Sequence, residues 1–200
     1  LHRDEEDDMR RRQFLATGLA TGLTGAAAVA AGPALAQSSR GPAFDPVLVP
    51  TRPEIAPGEI HVVPGSFMLY WTMPGGVAMR YRVGVGRPGL YESGDFYVGA
   101  KKEWPSWTPT PDMIERDPAS YAQYADGMPG GPDNPLGARA LYLFEPGRGD
   151  TFLRIHGTNA PSTIGTAVSN GCARLINSEM IDLYNKVPIG APVRLYPQYA

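Results

Sequence analysis

The chain has 200 residues, 42% of them apolar, and a formal net charge of −2. That balance fits one globular domain and, with no basic stripe or aromatic-interleaved Lys/Arg run, excludes a general nucleic-acid or anionic-membrane binder. The 24 glycines and 21 prolines demand many turns, hence a strand-rich fold with long loops.

Residues 1–36 read as an export segment. Met9 to Gln13, MRRRQ, leads into an apolar run diluted by Gly and Thr that closes at Ala34-Leu35-Ala36. A basic start, a moderately apolar run and an A-x-A site make a cleavable signal peptide, so no stable membrane insertion is expected after cleavage. Arg11-Arg12-Gln13-Phe14-Leu15 fits a twin-arginine signal, which points to the periplasm. Leu1 to Asp8 is acidic and sits awkwardly ahead of a basic signal, so translation is expected to begin at Met9. Removing the segment leaves a net charge of −1. The chain's one cysteine, Cys172, then enters an oxidising compartment without a partner, an unusual state that calls for a reason.

Residues 37–57 are Pro-rich and read as an extended linker, with the folded domain spanning 58–200. Strands are predicted for EIHVV and SFMLYW around Pro64-Gly65, and for VAMRYRVGVG after Gly75-Gly76, where Val77, Met79, Tyr81, Val83 and Val85 alternate with smaller or charged residues. His61, inside the first run, reads as structural. Gly94 to Lys102 predicts another strand. Residues 103–137 then become irregular, with many prolines and the aromatics Trp104, Trp107, Tyr121 and Tyr124. These rings are costly to leave in water, so the segment is expected to form an ordered flap packed on the sheet. Ala140 to Phe144 and Thr151 to His156 predict two strands about EPGRGD, which places His156 at a strand end. Met180, Leu183, Tyr184 and Val187 recur at helical spacing, with Asn177 or Ser178 as cap, and APVRLYP reads as a closing strand.

The chemistry concentrates between Arg154 and Leu175, RIHGTNAPSTIGTAVSNGCARL. The residues between His156 and Cys172 are loop formers able to fold back and bring the two together. A thiol attacks carbonyls as thiolate and needs a base to reach that form near neutral pH. Residue types alone leave two readings open: a Cys/His nucleophile pair, or a small buried cysteine beside an inert histidine. Cys172, His61 and His156 lie without metal-ligand spacing, so no metal or cofactor is expected.

HGTN, IG and SNGCAR, in this order and spacing, resemble the signature of the L,D-transpeptidase family, the YkuD-type catalytic domain of bacterial cell-wall enzymes. The resemblance implies Cys172 as nucleophile, held as thiolate by a His156 imidazolium, and His156 as proton donor and acceptor oriented by the Gly157 carbonyl. It implies that Ser169, Asn170 and Gly171 line the approach to the thiol and that Arg174 meets a substrate carboxylate; an ordinary structural ion pair is the alternative for Arg174. Asn170 stands where many relatives have His, and Ala173 where they have a branched apolar residue. The implied fold is mainly β, a β-sandwich-like catalytic domain with one flanking helix and 103–137 as a long cleft loop. The implied partners are peptidoglycan stem peptides, with a second stem, an envelope protein amine or water as acyl acceptor, and with N–H groups near Gly171 and Cys172 as oxyanion donors. Hydrolysis by the same site, as an L,D-carboxypeptidase or cell-wall amidase, is the enzymatic alternative; a non-catalytic cell-wall binding module is the other. A papain-like protease is disfavoured because its cysteine precedes its histidine by a long interval.

Overall fold

The computed structural model describes residues 45–198; the export segment, the start expected at Met9 and the first part of the Pro-rich stretch lie outside the described residues. Ile60–Val63 (β2), Met68–Met73 (β3) and Val77–Arg82 (β4) form an antiparallel meander through the predicted turns. Ile60 lies opposite Trp71, and Leu69 opposite Tyr81, so the apolar positions of the three strands share one face. The stretch read as linker contains an edge strand, Val47–Pro50 (β1), antiparallel to β4. Pro46 and Pro50 bracket it, and proline is tolerated at an edge because no further strand needs its N–H.

Further along, Val85–Gly86 (β5) is followed by Gly94–Glu103 (β6), Arg139–Glu145 (β7), Gly149–His156 (β8), Ala167–Ser169 (β9), Ala173–Arg174 (β10) and Pro192–Leu195 (β11). Nine strands make one mixed sheet in the order β1-β4-β3-β2-β11-β6-β7-β8-β10, while β5 and β9 pair separately. β11 lies parallel to β2 and β10 parallel to β8. The chain just after β4 reaches the β10 edge: Gly84 N–H donates to the Arg174 carbonyl at 2.9 Å, and Arg174 N–H to the Gly84 carbonyl at 2.8 Å. The sheet therefore curls around a single core that includes Ile60, Val62, Tyr81, Leu141, Ile155 and Leu175, all fully enclosed. Each such side chain contributes roughly 1.5–3 kcal/mol relative to exposure. The class is mainly β.

The predicted helix is Asn177–Lys186, with Met180 and Leu183 buried. Asn177 does not cap it: Ile176 holds the cap position and makes no side-chain bond. Three contacts fix this helix. Tyr81 donates to Asp182 at 2.6 Å, and Lys101 Nζ donates to the Tyr184 and Val187 carbonyls at 2.6 and 2.7 Å, satisfying acceptors that the helix end leaves open. Two further short helices, Pro111–Arg116 (α1) and Pro118–Tyr121 (α2), occupy the 103–137 segment, so the long helix becomes α3. Among the described residues no helix is long and apolar enough to cross a membrane.

Candidate active site

His156 ends β8, and β10 pairs parallel to it with Ala173 opposite Ile155 and Arg174 opposite His156. Cys172 therefore enters β10 beside Arg154, on the strand adjoining the one that carries the imidazole. The loop between them is stitched down along its length. Gly165 N–H donates to Val83 O at 3.1 Å, Val85 N–H to Thr166 O at 3.0 Å, and Arg87 N–H to Ser169 O at 3.0 Å. A loop-rich composition is thus converted into a fixed path that returns to the sheet.

His156 is buried, and its Nδ1 lies 2.6 Å from the Gly157 carbonyl. A carbonyl only accepts, so the neutral ring carries its hydrogen on Nδ1 and a lone pair on Nε2. Burial pushes the imidazole down to about 3; the Gly157 hydrogen bond opposes the shift, and the Arg174 and Arg154 charges add to it. Burial also pushes the Cys172 thiol up, against the pull of the Arg154 backbone N–H and of the Arg154 and Arg174 guanidinium groups. Set against the expected thiolate–imidazolium pair, both shifts run toward the neutral forms, because burial carries a desolvation cost for each charge. The thiol points instead to the Phe152 carbonyl, 4.0 Å away.

Ser169, buried, is a staple. Its hydroxyl donates to the Cys172 carbonyl at 2.6 Å and accepts from Gly171 N–H at 3.3 Å. That second bond occupies one of the two N–H groups expected to receive an oxyanion. Gly171 has φ +123°, and a Cβ there would lie 2.9 Å from the Leu90 carbonyl. Its need for glycine thus comes from the backbone conformation and a neighbouring loop. Arg174 is half-buried, and among the described residues its Nε and Nη2 are enclosed without a hydrogen-bond partner and it makes no ion pair.

Asn170 joins three segments. Its Oδ1 accepts from Arg87 Nη2 at 2.7 Å and from Arg116 Nη2 at 3.3 Å, and its Nδ2 donates to the Tyr121 hydroxyl at 2.9 Å. Arg116 and Tyr121 belong to α1 and α2, so the flap is tied to the cysteine loop. Neither helix buries a residue. Trp107 packs on Tyr121 and Tyr124 with ring centroids 6.2 and 5.9 Å apart, whereas Trp104 is 46% exposed. The aromatic residues expected to pack on the sheet pack mainly on one another.

Two contributors escaped the sequence reading. Asn177 Oδ1 accepts from Ala138 N–H at 3.0 Å and Thr158 N–H at 3.1 Å, tying the loop after His156 to the start of β7. Phe152 and Arg154 lie beside the thiol, and Thr151 braces the backbone that carries them. Nothing in composition or spacing distinguishes them, because their part depends on a register shift between β7 and β8.

Residues 57–195 match the sequence model of the YkuD, L,D-transpeptidase catalytic domain. The chain is 36% identical over 137 residues to the probable L,D-transpeptidase ErfK/SrfK of Escherichia coli K12, covering 65% of this chain and 41% of that protein. It is 32% identical over 208 residues to a putative L,D-transpeptidase encoded in the ATP synthase subunits region of Fuscovulum blasticum, covering 94% and 98%. The match thus spans less than half of the E. coli relative and nearly all of the Fuscovulum one. Among solved structures, a Brucella melitensis protein described as a probable carnitine operon oxidoreductase is 47% identical, with a TM-score of 0.53 over 76% of this chain and 92% of that one. An Enterococcus faecium L,D-transpeptidase mutant shares the fold at 20% identity, with a TM-score of 0.53 over 72% and 52%.

Proposed function

Because the chain belongs to the L,D-transpeptidase family of the YkuD catalytic-domain type, we propose that it transfers acyl groups between peptidoglycan stem peptides through a cysteine thioester. The observation that carries this reading is the His156 Nδ1 hydrogen bond to the Gly157 carbonyl, on a strand paired with the one Cys172 enters. It leaves the Nε2 lone pair free to serve as the base for the Cys172 thiol.

His156 Nε2 takes the Cys172 proton as the sulfur attacks the carbonyl of the third stem residue. The imidazolium then protonates the leaving amine of the terminal D-alanine, and a thioester remains on Cys172. An amine from a second stem attacks that thioester, His156 accepts its proton, and the thiol is restored when the sulfur leaves and is protonated. The Cys172 N–H is the oxyanion donor we favour, since Gly171 N–H is already engaged by Ser169. Arg174 is the group for a stem carboxylate: a half-buried guanidinium with two enclosed, unpartnered nitrogens gains most from a charged acceptor. Ser169, Asn170 and Gly171 hold the approach, and the flap tied to Asn170 limits water at the thioester. The envelope setting of this chemistry and the twin-arginine-like segment together support a periplasmic location.

Mass spectrometry of the purified protein with disaccharide tetrapeptide tests the reading. Wild type is expected to yield a cross-linked dimer lacking one D-alanine, and Cys172→Ala none. Tripeptide without dimer would assign hydrolysis to the same site; no product and no Cys172 adduct would refute acyl transfer on this substrate.

A further inference from the structure

Between β7 and β8 the pairing passes from Tyr142 opposite Arg154 to Phe144 opposite Asp150, so the one intervening residue on β7, Leu143, faces three on β8. The bulge has an internal scaffold. Thr151 is buried, and its hydroxyl donates to the Leu143 carbonyl at 2.7 Å and accepts from Leu153 N–H at 3.2 Å. One side chain thus supplies the bonds that the interrupted ladder leaves unmade. Asp150 closes the other side: its Oδ1 accepts from Phe152 N–H at 2.9 Å and from Arg154 Nη1 at 2.6 Å.

Phe152 sits at the crest with φ +62°, a left-handed conformation that strains a bulky L residue. Its ring is 70% exposed, so core packing does not repay the strain. What the conformation does achieve is local. The Phe152 carbonyl lies 4.0 Å from Cys172 Sγ, and Arg154, alongside Cys172 in the β8–β10 register, turns its backbone N–H toward the sulfur and pulls the thiol pKa down. The carbonyl accepts a hydrogen bond from the neutral thiol, and the amide favours the thiolate.

We propose that this bulge is a cradle for the Cys172 sulfur and that Thr151 is the positioning residue that holds it in shape. The proposal rests on Cys172 being the nucleophile. The charged groups acting on the sulfur are Arg154 on β8 and Arg174 on β10; both also act on the His156 imidazole, and Tyr121 of the flap acts on Arg174. Thr151 touches none of these directly. Its effect on the thiol is transmitted through the bulge backbone alone.

The test is the pH profile of Cys172 alkylation by iodoacetamide in the full chain. Thr151→Val keeps the shape and removes the hydroxyl; its profile is expected to move to higher pH, with alkylation at pH 7 slowed by about tenfold, the scale of one hydrogen bond to a charged group. Thr151→Ser restores the hydroxyl and the wild-type profile. Phe152→Gly removes the ring and the φ strain, leaves Thr151 in place, and is expected to keep the wild-type midpoint. A folded Thr151→Val with an unchanged profile overturns the proposal. Should that variant fail to fold, a shifted midpoint in Thr151→Ser or Phe152→Gly overturns it, and wild-type midpoints in both uphold it. Alkylation needs no stem peptide, so a tetrapeptide assay that shows no transfer refutes the function without touching the cradle.

Discussion

At the residue scale, desolvation disfavours the charged forms of both His156 and Cys172. The His156 imidazole is held at about 3, well below its unfolded value, and burial lowers His61 as well. Between the ordinary imidazole range near pH 6.5 and the lowered folded values, the unfolded chain binds protons that the folded chain refuses. Stability therefore falls as pH falls through that window. Carboxylates such as Asp150, held below their usual range chiefly by Arg154 against the effect of burial, add their own loss only at more acid pH. Urea denaturation at pH 7 and pH 5 is expected to show the midpoint dropping at pH 5; an unchanged midpoint would mean that His156 is charged in the folded protein. The motif residues themselves were legible from spacing. Their protonation was not, because it depends on what encloses them.

At the scale of elements, the strands and α3 follow from alternation, turn residues and helical spacing, all of which are local. The exceptions are instructive. Asn177 sits where a cap is expected, yet its carbonyl oxygen bridges Ala138 and Thr158, residues 39 and 19 positions away. Asn177→Ala leaves two backbone N–H groups without their partner, so a loss of about 2–4 kcal/mol is expected in urea denaturation. A simple cap would cost about 1 kcal/mol, and a loss of that size would show that the bridge contributes little. Similarly, β1, β9 and β10 are too short for periodicity to reveal. They exist because a neighbouring strand offers an edge, and β10 is the one that delivers Cys172.

At the scale of the whole molecule, closure of the sheet brings the chemistry together. The Gly84–Arg174 bridge links the end of β4 to β10, and a Cβ at Gly84 would stand 2.8 Å from the Thr163 carbonyl. Gly84→Val is expected to force these backbones apart and cost about 1–3 kcal/mol, read as a lower thermal midpoint with slower Cys172 alkylation. A full-activity variant of wild-type stability would show that closure is dispensable. The sequence by itself determined the mainly β class, the order of the principal strands, the position of α3 and the Cys/His motif, because each is written in residues near one another in the chain. Only the tertiary structure decided that the flap is tied to Asn170, that Arg174 has two enclosed nitrogens without a hydrogen-bond partner among the described residues and that the β8 bulge turns backbone toward the thiol. Those features arise from register, closure and enclosure, which join residues far apart in sequence and leave no local pattern.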